Sequence, residues 1–410
     1  MPNNPQLFHG ANRFSINGGT FYNGSPPNPL PNPPPAPIPC DERGEYVRLL
    51  LPKKRGYPLW NPRPVGQLPD AYRANGVTIG DIGIMNEFGD FDYLFNIGLP
   101  PNNPNQGRVP HDFIPLPQAL NNWSETDVDL RPGCYIASNH AYFRRSYSQH
   151  IAGYPQIPKV PEEVGAGLIF KTSTSRGALL ILPEGGTRYD HPAMAMFFEH
   201  ATRCAKSWFK FINHVLLRGV NEIYLVTGCD KTRAWGVACF SDADPRNVLL
   251  EYVPRLPRIA GMKPGYLFRR SDSTLASAGA DDILENQSGC TFLRGFRITA
   301  RTGPQSQEEI SITKHSDWST DGGLQKPPGT SKKRHGSNRK YSGQQMYHPS
   351  NVINKWILSK YQDVDIAITH DDDWASVIRT EDKEIPGDSE LIDRIRSKPL
   401  SRVKTPRAVL

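Results

Sequence analysis

What the 410-residue chain lacks narrows its class before any motif is read. Its six cysteines (Cys40, Cys134, Cys204, Cys229, Cys239, Cys290) form no Cys-x-x-Cys pair and no Cys/His zinc spacing. Several sit in apolar runs, where cysteine acts as a small buried hydrophobe, so reduced structural thiols are expected in place of a disulfide framework. No run of about eighteen apolar residues is present, which excludes a spanning helix read from hydropathy. The polar start MPNNPQLFHG has no charged-then-apolar export signal. The expectation is a cytoplasmic protein whose Asn23, Asn122 and Asn286 sequons stay unmodified, with nuclear import through the Lys332–Lys340 run as the alternative.

Familiar catalytic motifs are missing as well. There is no Gly-x-Ser-x-Gly elbow for a serine hydrolase and no His-Glu-x-x-His for a zinc protease. Thr227-Gly-Cys-Asp-Lys-Thr232 follows an apolar run, but Lys231 stands only three residues beyond Gly228, too close for a phosphate loop. Gly165-Ala166-Gly167 lacks the third glycine of a dinucleotide fingerprint. No nucleotide is therefore expected, and 227–232 reads as a tight turn between strands. Glu184 reads as a turn residue, and Asn139-His140 and His111-Asp112 are isolated pairs without ligand spacing.

Hydrophobic residues make up 37% of the chain, a low share explained by 39 prolines and 35 glycines. The net charge is +7, yet eleven cations lie in two acid-free runs, Lys332–Lys340 and Arg394–Arg407. The remainder is mildly acidic. That pattern does not support a nucleic-acid groove on a folded domain. It leaves tails able to attract anionic lipid, a weak membrane signal without a hydrophobic anchor.

Residues 1–44 read as a Pro/Asn-rich flexible arm, with a short strand over Phe14–Asn23 and a polyproline spacer over Pro26–Pro39. A main domain follows over 45–301. It opens on a strand at Tyr46–Leu51, with Tyr57–Trp60 in an aromatic loop. Val77–Met85 and Phe91–Ile97 form a hairpin around Asn86–Asp90. A strand is expected at 133–138, and a second hairpin from 168–173 and 178–182. The clearest helix spans Pro192–Arg218: Phe197, Ala201, Cys204, Trp208, Ile212 and Val215 recur every three or four residues, and Gly219 ends it. Strands follow at 223–228, 234–241 and 290–300. Residues 302–348 read as a flexible polar and basic insertion. A helix starting at Pro349-Ser350 and a strand from Val364 form a unit, 349–380, that completes the main domain, and 381–410 reads as a mobile basic tail. The fold class expected is α+β, a mainly antiparallel sheet packed by one long amphipathic helix, with a C-terminal helix–strand unit and disordered tails.

The stretch VDIAITHDDDW, Val364–Trp374, carries the most chemistry. A β-branched apolar strand ends abruptly in His370-Asp371-Asp372-Asp373, so several acidic groups are expected to leave one strand end. Adjacent carboxylates repel, and a divalent cation bridging Asp371, Asp372 and Asp373 would relieve that cost, with His370 adding a nitrogen ligand or a proton-transfer group. The competing expectation is that one of the aspartates caps a helix over Trp374–Arg379 and the others favour its dipole.

Several blocks together resemble an uncharacterised protein family of mushroom-forming (agaricomycete) fungi. They are GYPLWNP (56–62), GVTIGDIGIM (76–85) with FDYLFNI (91–97), NQGRVP (105–110), LLILPEG (179–185), YLVTGCDKTRAWG (224–236), FLRGFRI (292–298) and AITHDDDW (367–374). FSINGGTFYN resembles a segment found ahead of fungal NACHT-type proteins, and Ile223–Thr227 is similar to a strand of gasdermin-type pore-forming proteins. The family resemblance implies lineage and domain extent, and no activity. The leading expectation is thus a non-enzymatic intracellular binding or regulatory module with a protein partner. The alternatives are a metal-dependent enzyme of hydrolytic type using His370, Asp371 and Asp372, and a membrane-active protein.

Overall fold

In a computed structural model of the chain, residues 42–64, 68–116, 124–126, 130–138, 144–147, 160–165, 167–172, 174–241, 248–255, 265–271, 275–278, 284–301 and 346–398 are described. The expected strand at Phe14–Asn23, the polyproline spacer, Asn139-His140, the Lys332–Lys340 run and the last twelve residues lie outside them. Strands and helices mix as expected for α+β, and every strand pairing among the described residues is antiparallel.

The first element corrects the sequence reading. Tyr46–Leu51, expected as a strand, lies in helix α1 (Glu42–Leu50) and a 3-10 turn over Leu51–Lys53. Tyr46, Val47, Leu49 and Leu50 are fully buried. Their spacing is that of one helical face, Glu42 and Glu45 suit the helix start, and Pro52 closes the α-helical run. The domain therefore begins slightly before residue 45. After β1 (Tyr57–Pro58) and α2 (Asp70–Asn75), β2 (Asp81–Met85) and β3 (Phe91–Asn96) form the expected hairpin, with β2 four residues shorter at its start than read. Asn86 Oδ1 accepts from Phe88 N (2.9 Å) and Asp90 N (3.0 Å), and Gly89 takes the positive φ of 78° that the turn needs.

Next come β4 (Ser124–Thr126), β5 (Cys134–Ala137), β6 (Arg144–Tyr147), α3 (Glu162–Gly165), β7 (Leu168–Thr172), β8 (Gly177–Leu182) and β9 (Thr187–Asp190). β7 and β8 were expected to pair; they belong to different sheets. β8 pairs with β5 and with β11 (Gly236–Phe240), whereas β7 pairs with β6 and with β12 (Val248–Arg255). β13 (Gly265–Ser271) flanks β12 and β14 (Leu275–Ala278) flanks β11, which completes two four-stranded sheets. Leu168 and Phe170 of β7 share one core with Leu179 and Ile181 of β8. The four-residue connection crosses between sheets because both strands have apolar faces to bury against each other, a gain that side-by-side pairing would forfeit.

Helix α4 (Met194–Lys210) starts two residues later than expected and passes into a π-turn over Phe211–Val215. Phe197, Ala201, Trp208 and Ile212 are buried as the stripe demands, while Val215 is 48% exposed. The extra residue of the π-turn rotates the stripe away from the core at its last position. Gly219 has φ 61° just beyond, as a helix stop requires.

The long strands β10 (Glu222–Thr232) and β15 (Gly289–Ala300) pair along their whole length at the centre of an eight-stranded sheet. The segment 227–232 is thus not a tight turn. It continues β10 through two register shifts, one between Val226 and Gly228 and one between Asp230 and Lys231. The first shift falls where the neighbour of β10 changes from β2 to β9. β15 changes neighbours likewise, from β1 to β16 (Ile366–His370). α4 packs on one face against Phe95, Leu225, Ile298 and Ile368. α5 (Pro349–Lys360) and the short α6 (Asp371–Ala375) cover the other face. The 349–380 segment thereby adds β16 to the sheet edge.

The tail expectation also needs correction. α7 (Asp388–Arg396) is helical, Leu391 is fully buried, and Arg394 Nη2 donates to Asp382 Oδ1 at 3.0 Å. Alternation of acids and bases hid a helix with a single buried anchor. No helix among the described residues is long and apolar enough to cross a membrane.

Candidate functional site: the polar end of β16

β16 hands its chain directly to α6, so the His370–Asp373 run is the junction itself. The capping expectation is corrected in its details. The cap is His370, whose Nδ1 accepts from Asp372 N at 3.1 Å, while Asp373 Oδ2 accepts from His370 N at 3.0 Å. This reciprocal box leaves Asp371, Asp372 and Asp373 in the first turn, where the helix dipole favours them. The helix is Asp371–Ala375, not 374–379.

Three consecutive aspartates end in three surroundings. Asp371 is 2% exposed and points into the protein. Its Oδ2 accepts from Tyr224 Oη and from Gly295 N (3.2 Å); its Oδ1 accepts from Trp374 Nε1 (3.0 Å) and Ser350 Oγ (3.3 Å). Burial raises its pKa, and the charge of His370 with the hydrogen bonds from Tyr224, Trp374 and Gly295 offset only part of the rise. His348 Nε2 lies 3.6 Å from Asp371 Oδ1. Burial and the charge of Arg297 push its pKa well below 6.5, so it stays neutral, stacked on Tyr57 at 4.6 Å, and forms no ion pair. Asp373 is turned back on the backbone of its cap. Asp372 alone faces outward, its side chain 79% exposed, with Oδ2 3.2 Å from His370 Nδ1. The expected divalent-cation ligands are thus spread over separate environments. Among the described residues no group of three His, Cys, Asp or Glu side chains is placed to hold a metal ion.

His370 links this junction to the sheet. Its Nε2 lies 3.1 Å from Thr227 Oγ1, and that hydroxyl donates to Arg294 O at 3.3 Å. With the Thr227 proton committed there, Nε2–H is the donor to Oγ1. Neutral His370 then has a bare Nδ1 free to accept the capping N–H. Protonated His370 instead donates Nδ1–H to Asp372 Oδ2. Burial works against the charged form, but the hydrogen bond and charge of Asp372, with Asp371 and Asp373 behind it, outweigh burial and raise the pKa above 6.5. The line Thr227–His370–Asp372 has the order of a nucleophile–base–acid triad. Thr227 is 1% exposed with its proton already engaged, so it positions the imidazole.

Beside this line lies a ladder of opposite charges. Arg294, on β15, donates through Nη1 to Asp230 Oδ1 (2.8 Å) and through Nε to Asp190; Arg55 Nε reaches Asp230 Oδ2 (3.1 Å) and Arg188 Nε reaches Asp190 Oδ2 (2.5 Å). Arg294 and Arg188 both help hold the Asp372 pKa down, after the larger effect of the hydrogen bond from His370. From the sequence Asp230 reads only as part of a turn, with no distant partner. The overlooked signal was Arg294 and Arg297 inside the apolar run 290–300, because a buried arginine requires carboxylate partners.

Gly228 makes the ladder fit. A Cβ there would stand 2.2 Å from Asp190 Oδ1 and 2.9 Å from Tyr189 O. Gly228→Ala is expected to cost about 2 kcal/mol by this overpacking, measured by urea unfolding. Stability within about 0.5 kcal/mol of the parent would show that the ladder tolerates displacement.

The remaining candidates take structural places. Glu184 lies 3.6 Å from Arg233 Nη1, and burial raises its pKa. Asp112 accepts from Ser207 Oγ at 2.6 Å. No protein-family model, curated protein or solved structure matches this chain.

Proposed function

We propose that the chain is a non-enzymatic binding module that recognises a basic group of a protein partner through Asp372. The observation that carries this reading is one carboxylate, 79% exposed on the first turn of a capped helix, at the end of a strand whose other acids are engaged. The hydrogen bond from His370, with the charges of Arg294 and Arg188, holds its pKa below the usual carboxylate value, so it is an anion at neutral pH. A rim carboxylate of this kind gives partner choice and salt sensitivity more than raw affinity.

The test is capture of proteins from a lysate on the immobilised full chain, compared with Asp372→Asn, which keeps the capping N–H. The expected result is a set of basic-surfaced proteins retained by the parent, released by salt, and lost from the variant. An identical set on both would overturn the reading. Unfolding with EDTA, Mg²⁺, Mn²⁺ or Ca²⁺ is the control. A saturable stabilisation near 2.7 kcal/mol at about 100 times the dissociation constant, lost in Asp372→Asn, would favour the metal-dependent enzyme instead.

His370 makes the recognition pH-dependent. Its protonated form pairs with Asp372 and competes with the partner, so capture is expected to strengthen as pH rises through the raised imidazole pKa. Stability runs the other way. The raised His370 pKa means its contribution is complete below 6.5 and lost as pH rises through the folded value; the lowered Asp372 pKa means its share is present above 3.8 and lost as pH falls. Because Asp372 is exposed, the whole effect is expected to stay below about 1 kcal/mol. A His370→Asn/Asp372→Asn double-mutant cycle at acid and alkaline pH measures it.

A further inference from the structure

One end of the eight-stranded sheet, where β10 starts, β15 ends and β16 starts, collects exposed apolar side chains. Among the described residues six large hydrophobic side chains are exposed, and three of them, Val215, Leu217 and Tyr361, flank this end. Val215 and Leu217 belong to the segment that carries α4 into β10, and Tyr361 to the connection from α5 to β16. The Tyr361 carbonyl accepts from Arg301 Nη2 at 2.7 Å, and Ala300 N donates to Asn221 O at 2.8 Å, so both connections are tied to the same end of β15. His370 stands at the opposite end of β16, which makes this face independent of the reading given to Asp372.

Leu217 is the least expected of the three. It is 80% exposed and takes φ 54°, a left-handed conformation that suits glycine or asparagine. Neither packing nor backbone preference accounts for a leucine there. The charge around it is mostly positive. From His200 to Asn221 the chain carries Arg203, Lys206, Lys210 and Arg218 and no acid, and Lys360 adjoins Tyr361. The acids at this end are Asp363 and Asp365, the latter bonded to Lys206 Nζ at 3.1 Å, while Glu222 is buried against Arg297. Asp112 lies further along α4, on Ser207 Oγ.

We propose that this end docks on an anionic lipid bilayer, with Leu217 and Val215 entering the headgroup layer, Tyr361 at its level and the cations on lipid phosphates and carboxylates. Interfacial binding of this kind adds buried apolar area to attraction for anionic lipid, and needs no spanning helix. Tyrosine suits the boundary because its ring is apolar and its hydroxyl is wet. A leucine standing out from the surface favours a layer that yields around it, whereas an acidic protein would have to supply a matching socket.

The test is sedimentation of the full chain with phosphatidylcholine vesicles, with and without phosphatidylserine, at low and high salt. The parent is expected to sediment with the anionic vesicles only and to be released by salt. Leu217→Asn, which suits the backbone and removes the apolar tip, should weaken binding about tenfold at an unchanged or higher melting temperature. Leu217→Met should bind like the parent, and Lys210→Glu should weaken binding comparably to Leu217→Asn. The basic runs Lys332–Lys340 and Arg394–Arg407 are intact in every variant. Equal sedimentation of the parent and Leu217→Asn would therefore assign the lipid binding to those runs and overturn the proposal. No sedimentation with either vesicle would overturn it too, as would equal binding to the neutral vesicles. Retention on a polyglutamate matrix without vesicle binding would give the face to an acidic protein surface instead.

Discussion

Asp371→Asn is expected to destabilise the protein by about 3 kcal/mol, the cost of one or two buried donors left unmet. The reason lies in which donors can adapt. Tyr224 and Ser350 present hydroxyls that can turn; Gly295 N–H and Trp374 Nε1–H cannot. The two rigid donors sit on different oxygens, Gly295 on Oδ2 and Trp374 on Oδ1. Whichever way an asparagine amide is placed, its NH₂ faces a fixed N–H. Tyr224→Phe, which removes one adaptable donor and leaves three, should cost only about 1 kcal/mol. Asp372→Asn should stay within about 0.5 kcal/mol of the parent, as exposed substitutions usually do. Urea midpoints for the three variants check the ranking. If Asp371→Asn were as mild as Asp372→Asn, the buried-acceptor role would be wrong. The ranking also decides how a metal test must be designed: lost ion binding in a variant at Asp371 would report damage to the core, so Asp372 is the position to alter.

Arg297→Met should be at least as severe, about 3–5 kcal/mol, because it leaves a buried carboxylate without its cation. Arg297 and Glu222 are 1% and 2% exposed. Arg297 Nη2 donates to Glu222 Oε2 at 2.5 Å and Nε to Asn351 Oδ1 at 2.7 Å, and Asn351 Nδ2 returns to the same Glu222 oxygen at 2.7 Å. The triangle ties β15, β10 and α5 together, so the damage should spread to the docking of the helix. Burying an ion pair is not in itself a source of stability, since desolvation offsets most of the attraction. The double variant Glu222→Met/Arg297→Met is therefore expected to recover most of the loss, leaving it within about 2 kcal/mol of the parent. A thermodynamic cycle of the four proteins measures the coupling. Additive losses would mean that the two charges are solvated separately and that the triangle does not hold in solution. Loss of Arg297 should also let the His348 pKa rise, since its charge helps hold that imidazole neutral.

Much of this architecture was readable residue by residue. Asn86 and Gly89 specify the β2–β3 hairpin through a side-chain acceptor and a positive φ. The three-and-four stripe of α4, the run 290–300, the start of α5 at Pro349 and the abrupt end of β16 all follow from periodicity and punctuation. These are signals carried within one turn or one strand, so they survive without knowledge of neighbours. What the sequence alone could not decide was partnership. Tyr46–Leu51 is apolar enough for a strand or a helix, and only the sheet surface it covers selected the helix. β7 and β8 are joined by a tight connection, yet each gained more by facing the other across a core than by pairing. Thr227–Thr232 has the composition of a turn, but β9 and β15 supply the hydrogen bonds that keep it extended. The strand end shows the division most sharply. His370-Asp-Asp-Asp announced its chemistry in four letters, and nothing local distinguished one aspartate from the next. One residue of helical rotation, about 100°, put Asp371 among four buried donors and left Asp372 in water, because Tyr224, Gly295, Ser350 and Trp374 come together only when the sheet and its covering helices have assembled.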